Sequence, residues 1–144
     1  ANVDVLFSNI VDILHFHDSQ FLSEISDCCT RPSSIGSVFL KWKCEFDNYI
    51  KYMADRDSAN FLLESDEIKT FFKDLGRRSS CPQNDITHLL KKPIDRLRMY
   101  QLLLRGVLRY AARAGEDCSD VQDAITMLIA IEKAVENCKL LPLL

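Results

Sequence analysis

The sequence predicts an all-α protein, an elongated antiparallel helical bundle of about five helices, and three observations carry that prediction. Only 4 Gly and 4 Pro punctuate 144 residues, too few for the turns of a β-sandwich or barrel. Apolar residues recur at three- and four-residue spacing along nearly the whole chain, and no segment alternates with period two. Hydrophobic residues make up 47% against 27% charged, which is enough for one core, and the length suits one domain.

The first helix is predicted from Leu6 to Ile25, where Leu6, Phe7, Ile10, Ile13, Leu14, His17, Phe21, Leu22 and Ile25 share helical spacing. Pro32 breaks the ladder, and Ser33 and Ser34 offer N-caps for a second helix of about five turns. Its apolar side holds Ile35, Val38, Phe39, Trp42, Phe46, Tyr49, Ile50 and Met53, with Lys41, Lys43, Glu45, Asp47 and Lys51 on the wet side. Ser58 is expected to cap a third helix that buries Phe61, Leu62, Ile68, Phe71, Phe72 and Leu75 and stops at Gly76. GRRSSCPQN reads as a polar loop.

A long helical pattern follows from about Asp85 to Ala114. Leu90, Ile94, Leu97, Gln101, Leu104 and Leu108 form one stripe, and Leu89, Pro93, Arg96, Tyr100, Leu103 and Val107 a second beside it. Both are expected to turn inward. Pro93 predicts a kink or a restart within this helix. AGEDCSD ends it, and Ser119 or Asp120 caps the last helix through Val121, Ile125, Leu128, Ile131 and Val135 to about Lys139.

The formal charge of −3, with no long run of Lys and Arg, argues against nucleic acid or an anionic membrane as the primary ligand. Six cysteines lack metal-ligand spacing, and free, mostly buried thiols are expected. No apolar run approaches a membrane span, so the expectation is a cytoplasmic domain without membrane insertion. No phosphate-cradling Gly-rich loop, GxSxG, CxxC or kinase signature is present. Covalent catalysis, a metal and a cofactor are therefore not predicted. His15 and His17 sit about 200° apart around a helix, too far to share a metal; His17 is expected at the core margin and His15 in water.

With both stripes of the long helix turned inward, one line remains outside: Lys91, Asp95, Met99 or Arg98, and Leu102. Exposed apolar residues beside fixed charges suit a protein contact better than plain solvation.

The stretch KPIDRLRMYQLLL resembles the third conserved segment of the Dbl-homology domain, the exchange-factor module for Rho-family GTPases, usually close to KPxQRxxKYxLLL. VLFSNIVDILHFHDSQFLSEI is similar to the family's VFGNIxxIxxFHxxFLxEL segment, and IGSVFLKWKCEFDNYIKYMADRDSANFLLE to its VGxxFxxWxxxFxxYxxYCxNxxxSxxLL segment. The resemblance covers nearly all of residues 1–144 and is nearest the Trio, kalirin and obscurin branch. It lacks the first conserved segment, so the domain is read as N-terminally truncated or incomplete.

The resemblance implies a helical groove that binds switch 1 and switch 2 of a Rho-family GTPase and promotes GDP release without a covalent step. It also implies a pleckstrin-homology domain adjacent in the parent chain, and a cytoplasmic, cytoskeleton-associated setting. Carried over residue by residue, the GTPase-binding positions are Lys91, Asp95, Arg98, Met99, Leu102, Val135, Glu136 and Asn137. Asp95 stands where the family writes Gln, Met99 where it writes Lys, and Lys91 where Ile or Leu is usual. A lost charge-assisted hydrogen bond at Met99 is worth ~1.5–3 kcal/mol. The alternative reading is a degenerate domain, a non-catalytic scaffold for a GTPase or a cytoskeletal partner.

Overall fold

A computed structural model describes residues 2–79 and 85–140, and every ordered element among them is helical. The first predicted helix is instead a bent rod: α1 (Asn2–Phe7), α2 (Ile10–Phe16), a π-helical turn (His17–Phe21) and α3 (Leu22–Asp27). The bend falls at Ser8, whose φ of 49° is left-handed and which stands where the family pattern writes Gly. Two long-range hydrogen bonds hold the bend. Ser8 Oγ donates to Asp55 Oδ2 at 2.6 Å, and Asn9 Nδ2 donates to the Asn48 carbonyl at 2.9 Å.

A short 3₁₀ turn (Pro32–Ser34) leads into α4 (Ile35–Lys41), α5 (Lys43–Phe46) and α6 (Asn48–Ala54), so the second rod is also interrupted, at Trp42 and Asp47. Neither Ser33 nor Ser34 caps it; Ser34 Oγ turns back to the Arg31 carbonyl at 2.7 Å. Gly36 lies flat against the start of the last helix, where an added Cβ would stand 2.6 Å from Asp120 C and Val121 N.

The third rod departs most from expectation. It divides into α7 (Arg56–Leu63) and α8 (Asp66–Arg78), so Ser58 lies inside a helix and Gly76 does not end one. Phe61 and Phe71 are 80% and 60% exposed, and α8 has no buried residue. Ala59 and Leu63 are buried in their place, because α7 packs on α1 through that narrower face. Of the expected polar loop, residues 76–78 are helical and Ser80 to Asn84 lie outside the described residues.

Helix α9 (Ile86–Ala114) runs through Pro93 without interruption, which excludes a restart. Its N-cap is Asp85, whose carboxylate accepts from the Thr87 N–H. The Pro93 ring denies Leu89 its usual i+4 donor, and the neighbouring carbonyl of Leu90 accepts from Tyr52 Oη at 2.6 Å. Gly115, at φ 71°, closes the helix in the left-handed conformation that favours glycine. Then α10 (Ser119–Leu140) returns, its first N–H met by the Asp117 carboxylate, which accepts from Ser119 N at 2.9 Å. The cap is thus Asp117 and neither Ser119 nor Asp120.

Helix α10 packs against α4, α6 and α9, and buries Val121, Ile125, Leu128, Ile131 and Val135 as the spacing predicts. The main core is aromatic: Phe16, Phe21, Phe39, Phe46 and Tyr49 are fully buried, with ring centroids 5.0–6.1 Å apart in the pairs Phe21–Phe39 and Phe46–Tyr49. A second cluster joins Leu6, Ala59, Leu63 and Leu90. Of the five cysteines among the described residues all are free and only Cys28 is buried, which corrects the expectation of mostly buried thiols. Cys81 lies outside the described residues.

Candidate functional site

One inward stripe of α9 behaves as predicted: Leu90, Leu97 and Leu104 are buried, and Ile94, Gln101 and Leu108 half-buried. The second does not. Leu89, Arg96 and Leu103 are exposed, because α9 is covered by α10 on one flank only partly matched by α2 and α6 on the other. The outward face of α9 is therefore broader than a single line of residues.

On its α10 flank, Lys91 Nζ faces Asp95 Oδ1 at 4.0 Å, one turn apart, and Arg98 Nε reaches Glu132 Oε1 of α10 at 3.7 Å. Both pairs are solvent-exposed, so each contributes at most about 1 kcal/mol to stability. Just past them along α9, Met99 and Leu102 stand 57% and 62% exposed. The long thioether and the isobutyl group are thus set among fixed charges of both signs.

The three α10 positions separate. Val135 is only 6% exposed and belongs to the core, so the expectation that it forms part of a contact face is corrected. Helical periodicity dictates this, since Val135 continues the Leu128–Ile131 stripe. Glu136 is exposed and lies one turn beyond Glu132 on the same side as Arg98. Asn137 is exposed but about 140° farther round α10 than Glu132. The structure therefore gathers Lys91, Asp95, Arg98, Met99, Leu102 and Glu136 on adjoining surfaces and leaves Asn137 apart.

Sequence reasoning missed two features. Glu132 anchors Arg98, and its signal was only its turn-spacing from Glu136. The other is an apolar groove of about 390 Å³ between α2 and α9, lined by Val11, Leu14, Leu89, Pro93 and Arg96 among others. At its floor His17 organises a buried polar contact. The Ile13 carbonyl can only accept, so His17 Nδ1 carries the proton at 2.9 Å, and Nε2 of the neutral ring accepts from Tyr49 Oη at 3.3 Å. Burial pushes His17 below its ordinary value, the Ile13 carbonyl opposes that shift, and the positive charge of Arg96 adds to it. Arg96 lies 5.7 Å from the Tyr100 ring, which stacks on His17 at 6.0 Å. Burial also raises the Tyr49 and Tyr100 hydroxyls. Both therefore stay protonated, and Tyr49 Oη donates to His17 Nε2.

No group of three or more His, Cys, Asp or Glu side chains among the described residues is placed to hold a metal ion. His15 is exposed and His17 half-buried. What the face offers is apolar side chains beside charges of both signs, carried on one long helix.

A family model described as the RhoGEF domain matches residues 1–136. The chain belongs to the RhoGEF domain family. Members are regulatory exchange factors and do not form covalent intermediates with substrate. Among curated proteins the chain is similar to Guanine nucleotide exchange factor DBS of Rattus norvegicus, 32% identical over 134 residues that make up 93% of this chain and 12% of that protein. It is 29% identical to Proto-oncogene DBL of Homo sapiens over 137 residues, 93% of this chain and 14% of that protein. It is 24% identical to Muscle M-line assembly protein unc-89 of Caenorhabditis elegans over 136 residues, 94% of this chain and 2% of that protein. The chain thus spans about an eighth of the DBS relatives it matches. A solved Vav1 exchange-factor structure shares the fold with a TM-score of 0.74 at 21% identity, over 94% of this chain and 38% of that one. No helix among the described residues is long and apolar enough to cross a membrane.

Proposed function

We propose that residues 1–144 form a RhoGEF domain that binds switch 1 and switch 2 of a Rho-family GTPase through the outward face of α9 and the adjoining end of α10, and that it promotes GDP release for GTP loading. The observation that carries this reading is the exposure of Met99 and Leu102 just past the Lys91–Asp95 and Arg98–Glu132 pairs along α9, in the segment that matches the family's KP-to-LLL block. Exposed apolar groups flanked by charge gain most when a partner excludes water from them. Exchange in this reading is differential binding: the face is complementary to the nucleotide-free GTPase, so binding energy is spent on expelling GDP. In the parent protein the domain would act next to a pleckstrin-homology domain, in the cytoplasm and at the cytoskeleton; the unc-89 relative's M-line name supports the last.

The test is release of fluorescent GDP from a panel of Rho, Rac and Cdc-type GTPases. Acceleration by the chain is expected with at least one, and Leu102→Asp should abolish it while leaving the helical spectrum intact. No acceleration in any pairing overturns the exchange reading.

A second reading, a scaffold that binds without exchange, is favoured by one observation. Met99 has no ammonium to offer where the family writes Lys, and Arg98 beside it is already engaged with Glu132. Met99→Lys tests this. If the missing charge limits exchange, the rate should rise roughly tenfold or more, the equivalent of ~1.5–3 kcal/mol. An unchanged rate together with retained binding to nucleotide-free GTPase would favour the scaffold.

A further inference from the structure

Of the two ion pairs on the outward face of α9, one stays within the helix and one leaves it. Lys91 meets Asp95 one turn on, whereas Arg98 Nε lies 3.7 Å from Glu132 Oε1 on α10. Among the described residues no other acid stands within ion-pair distance of Arg98. At 3.7 Å the contact is an ion pair without a hydrogen bond, so charge alone holds it. The two side chains are 59% and 36% exposed. Such a pair is weak, and a carboxylate that approaches closer can displace Glu132.

The direction of the pair matters more than its strength. Successive helical residues turn by about 100°, which puts Arg98 about 40° to one side of Leu102 and Met99 about 60° to the other. Glu132 meets Arg98 from the α10 side of this fan and draws the guanidinium away from both exposed apolar side chains. Without that carboxylate the Arg98 side chain is long enough to lie across Leu102, bringing a fork of N–H donors to the edge of the apolar pair. Neither nearby acid replaces Glu132 in this. Asp95 is paired with Lys91, and Glu136 lies one turn farther along α10. The same surface therefore has two states: apolar with its cation neutralised, or apolar with a free guanidinium.

We infer that Glu132 is an internal counter-ion that gates Arg98. A partner carboxylate binds Arg98 only by displacing Glu132, so Glu132 weakens the contact and restricts it to partners that bring an acid beside an apolar patch. This rests on the GTPase-binding reading above and adds a regulator to that face. Glu132 is a positioning residue in it, because it acts through Arg98.

The test is binding of the full chain and of Glu132→Gln to immobilised nucleotide-free Rho, Rac and Cdc-type GTPases at about 50 and 300 mM NaCl. Gln keeps the size and helix propensity of Glu and removes its charge, so circular dichroism should show the variant folded. Glu132→Gln should bind about three- to fivefold more tightly at the lower salt, and the gain should shrink at the higher. Made in an Arg98→Gln background, the same change should lose most of that gain. Asp123→Asn removes one charge from an exposed site about 180° round α10 from Glu132 and should not reproduce it. No tightening while the parent chain binds, an equal gain with Arg98 absent, or an equal gain from Asp123→Asn overturns the inference and leaves the GTPase reading standing. Absence of binding by both the parent chain and Glu132→Gln across the panel overturns that reading and the inference with it. Binding by Glu132→Gln alone supports both.

Discussion

Around Phe46 the chain packs ring on ring, with Phe16, Phe21 and Phe39 within 5.2–5.4 Å and Tyr49, Tyr100 and His17 within 6.1–6.3 Å, drawn from four separate stretches of sequence. Around Leu63, by contrast, a short cluster of Leu6, Ala59 and Leu90, with the buried Arg56 beside it, supports α7, and α8 contributes no buried residue at all. Both regions have amphipathic sequences of similar quality. What separates them is the number of elements that reach each one: α10 lies across α4, α6 and α9 at the aromatic end, whereas α8 meets chiefly its neighbour α7. An apolar stripe thus predicts a capacity for burial, and topology decides whether the capacity is used.

The largest effect should come from breaking the aromatic end. Phe46→Ala removes a fully buried ring and should cost about 3–5 kcal/mol, against about 0.5 kcal/mol or less for Phe71→Ala on α8. Urea unfolding of both variants checks this, and a cost at Phe71 approaching that at Phe46 would show that α8 is covered in solution by something else. Next, Arg56→Ala tests what holds the weaker end. The Arg56 side chain is buried, donates to the Leu6 carbonyl at 2.6 Å and lies 4.6 Å over the Tyr52 ring. Its loss should cost about 2–3 kcal/mol, because the carbonyl is left unpaired and the cation–π contact disappears. An unaltered midpoint would mean that α1 is held on α7 by apolar contact alone.

One substitution made in both regions should change sign between them. Gly36→Ala forces a methyl to within 2.6 Å of the α10 backbone and should cost about 1–3 kcal/mol. Gly76→Ala in α8 meets nothing within 4 Å and should stabilise by about 0.5–1 kcal/mol through helix propensity. Equal effects would deny the difference in packing. The same contrast accounts for what could be read beforehand. The helical class, the extent of α9 and the inward stripe of α10 were legible because a long periodic segment keeps its helix throughout and obeys its pattern on the flank that is packed. The exposure of Phe61 and Phe71 was not, since burial there depends on distant elements. Among the proposed contact residues, the exposure of Met99 and Leu102 followed from residue spacing while that of Leu89, Arg96 and Leu103 did not, and Val135 was misplaced because motif alignment tolerates a one-residue shift that helix geometry does not. Arg56 could not be read at all, a charge within a polar turn sequence whose partner is fifty residues away.

The smallest effect concerns protons and again belongs to the aromatic end. His17 is held neutral by burial among Phe16, Phe46, Tyr49 and Tyr100, with Arg96 nearby, and its folded value lies below the ordinary one near 6.5. The unfolded chain therefore binds the proton first as pH falls. The stability that neutral His17 supplies is fully present above about pH 6.5 and is lost as pH drops below it, with a slope of at most about 1.4 kcal/mol per pH unit. Glu24, Asp55 and Asp117 are also shifted, but downward from carboxylate values, so their losses come below about pH 4.5. The window from about pH 6.5 to 4.5 thus isolates the imidazole. Urea midpoints should decline across it in the parent chain, and His17→Gln, which keeps a hydrogen-bonding side chain but cannot titrate, should flatten the profile. A flat profile in the parent would mean that His17 accepts its proton inside the fold, which requires the Nε2 contact with Tyr49 Oη to reverse its donor and the ring to tolerate Arg96 beside it.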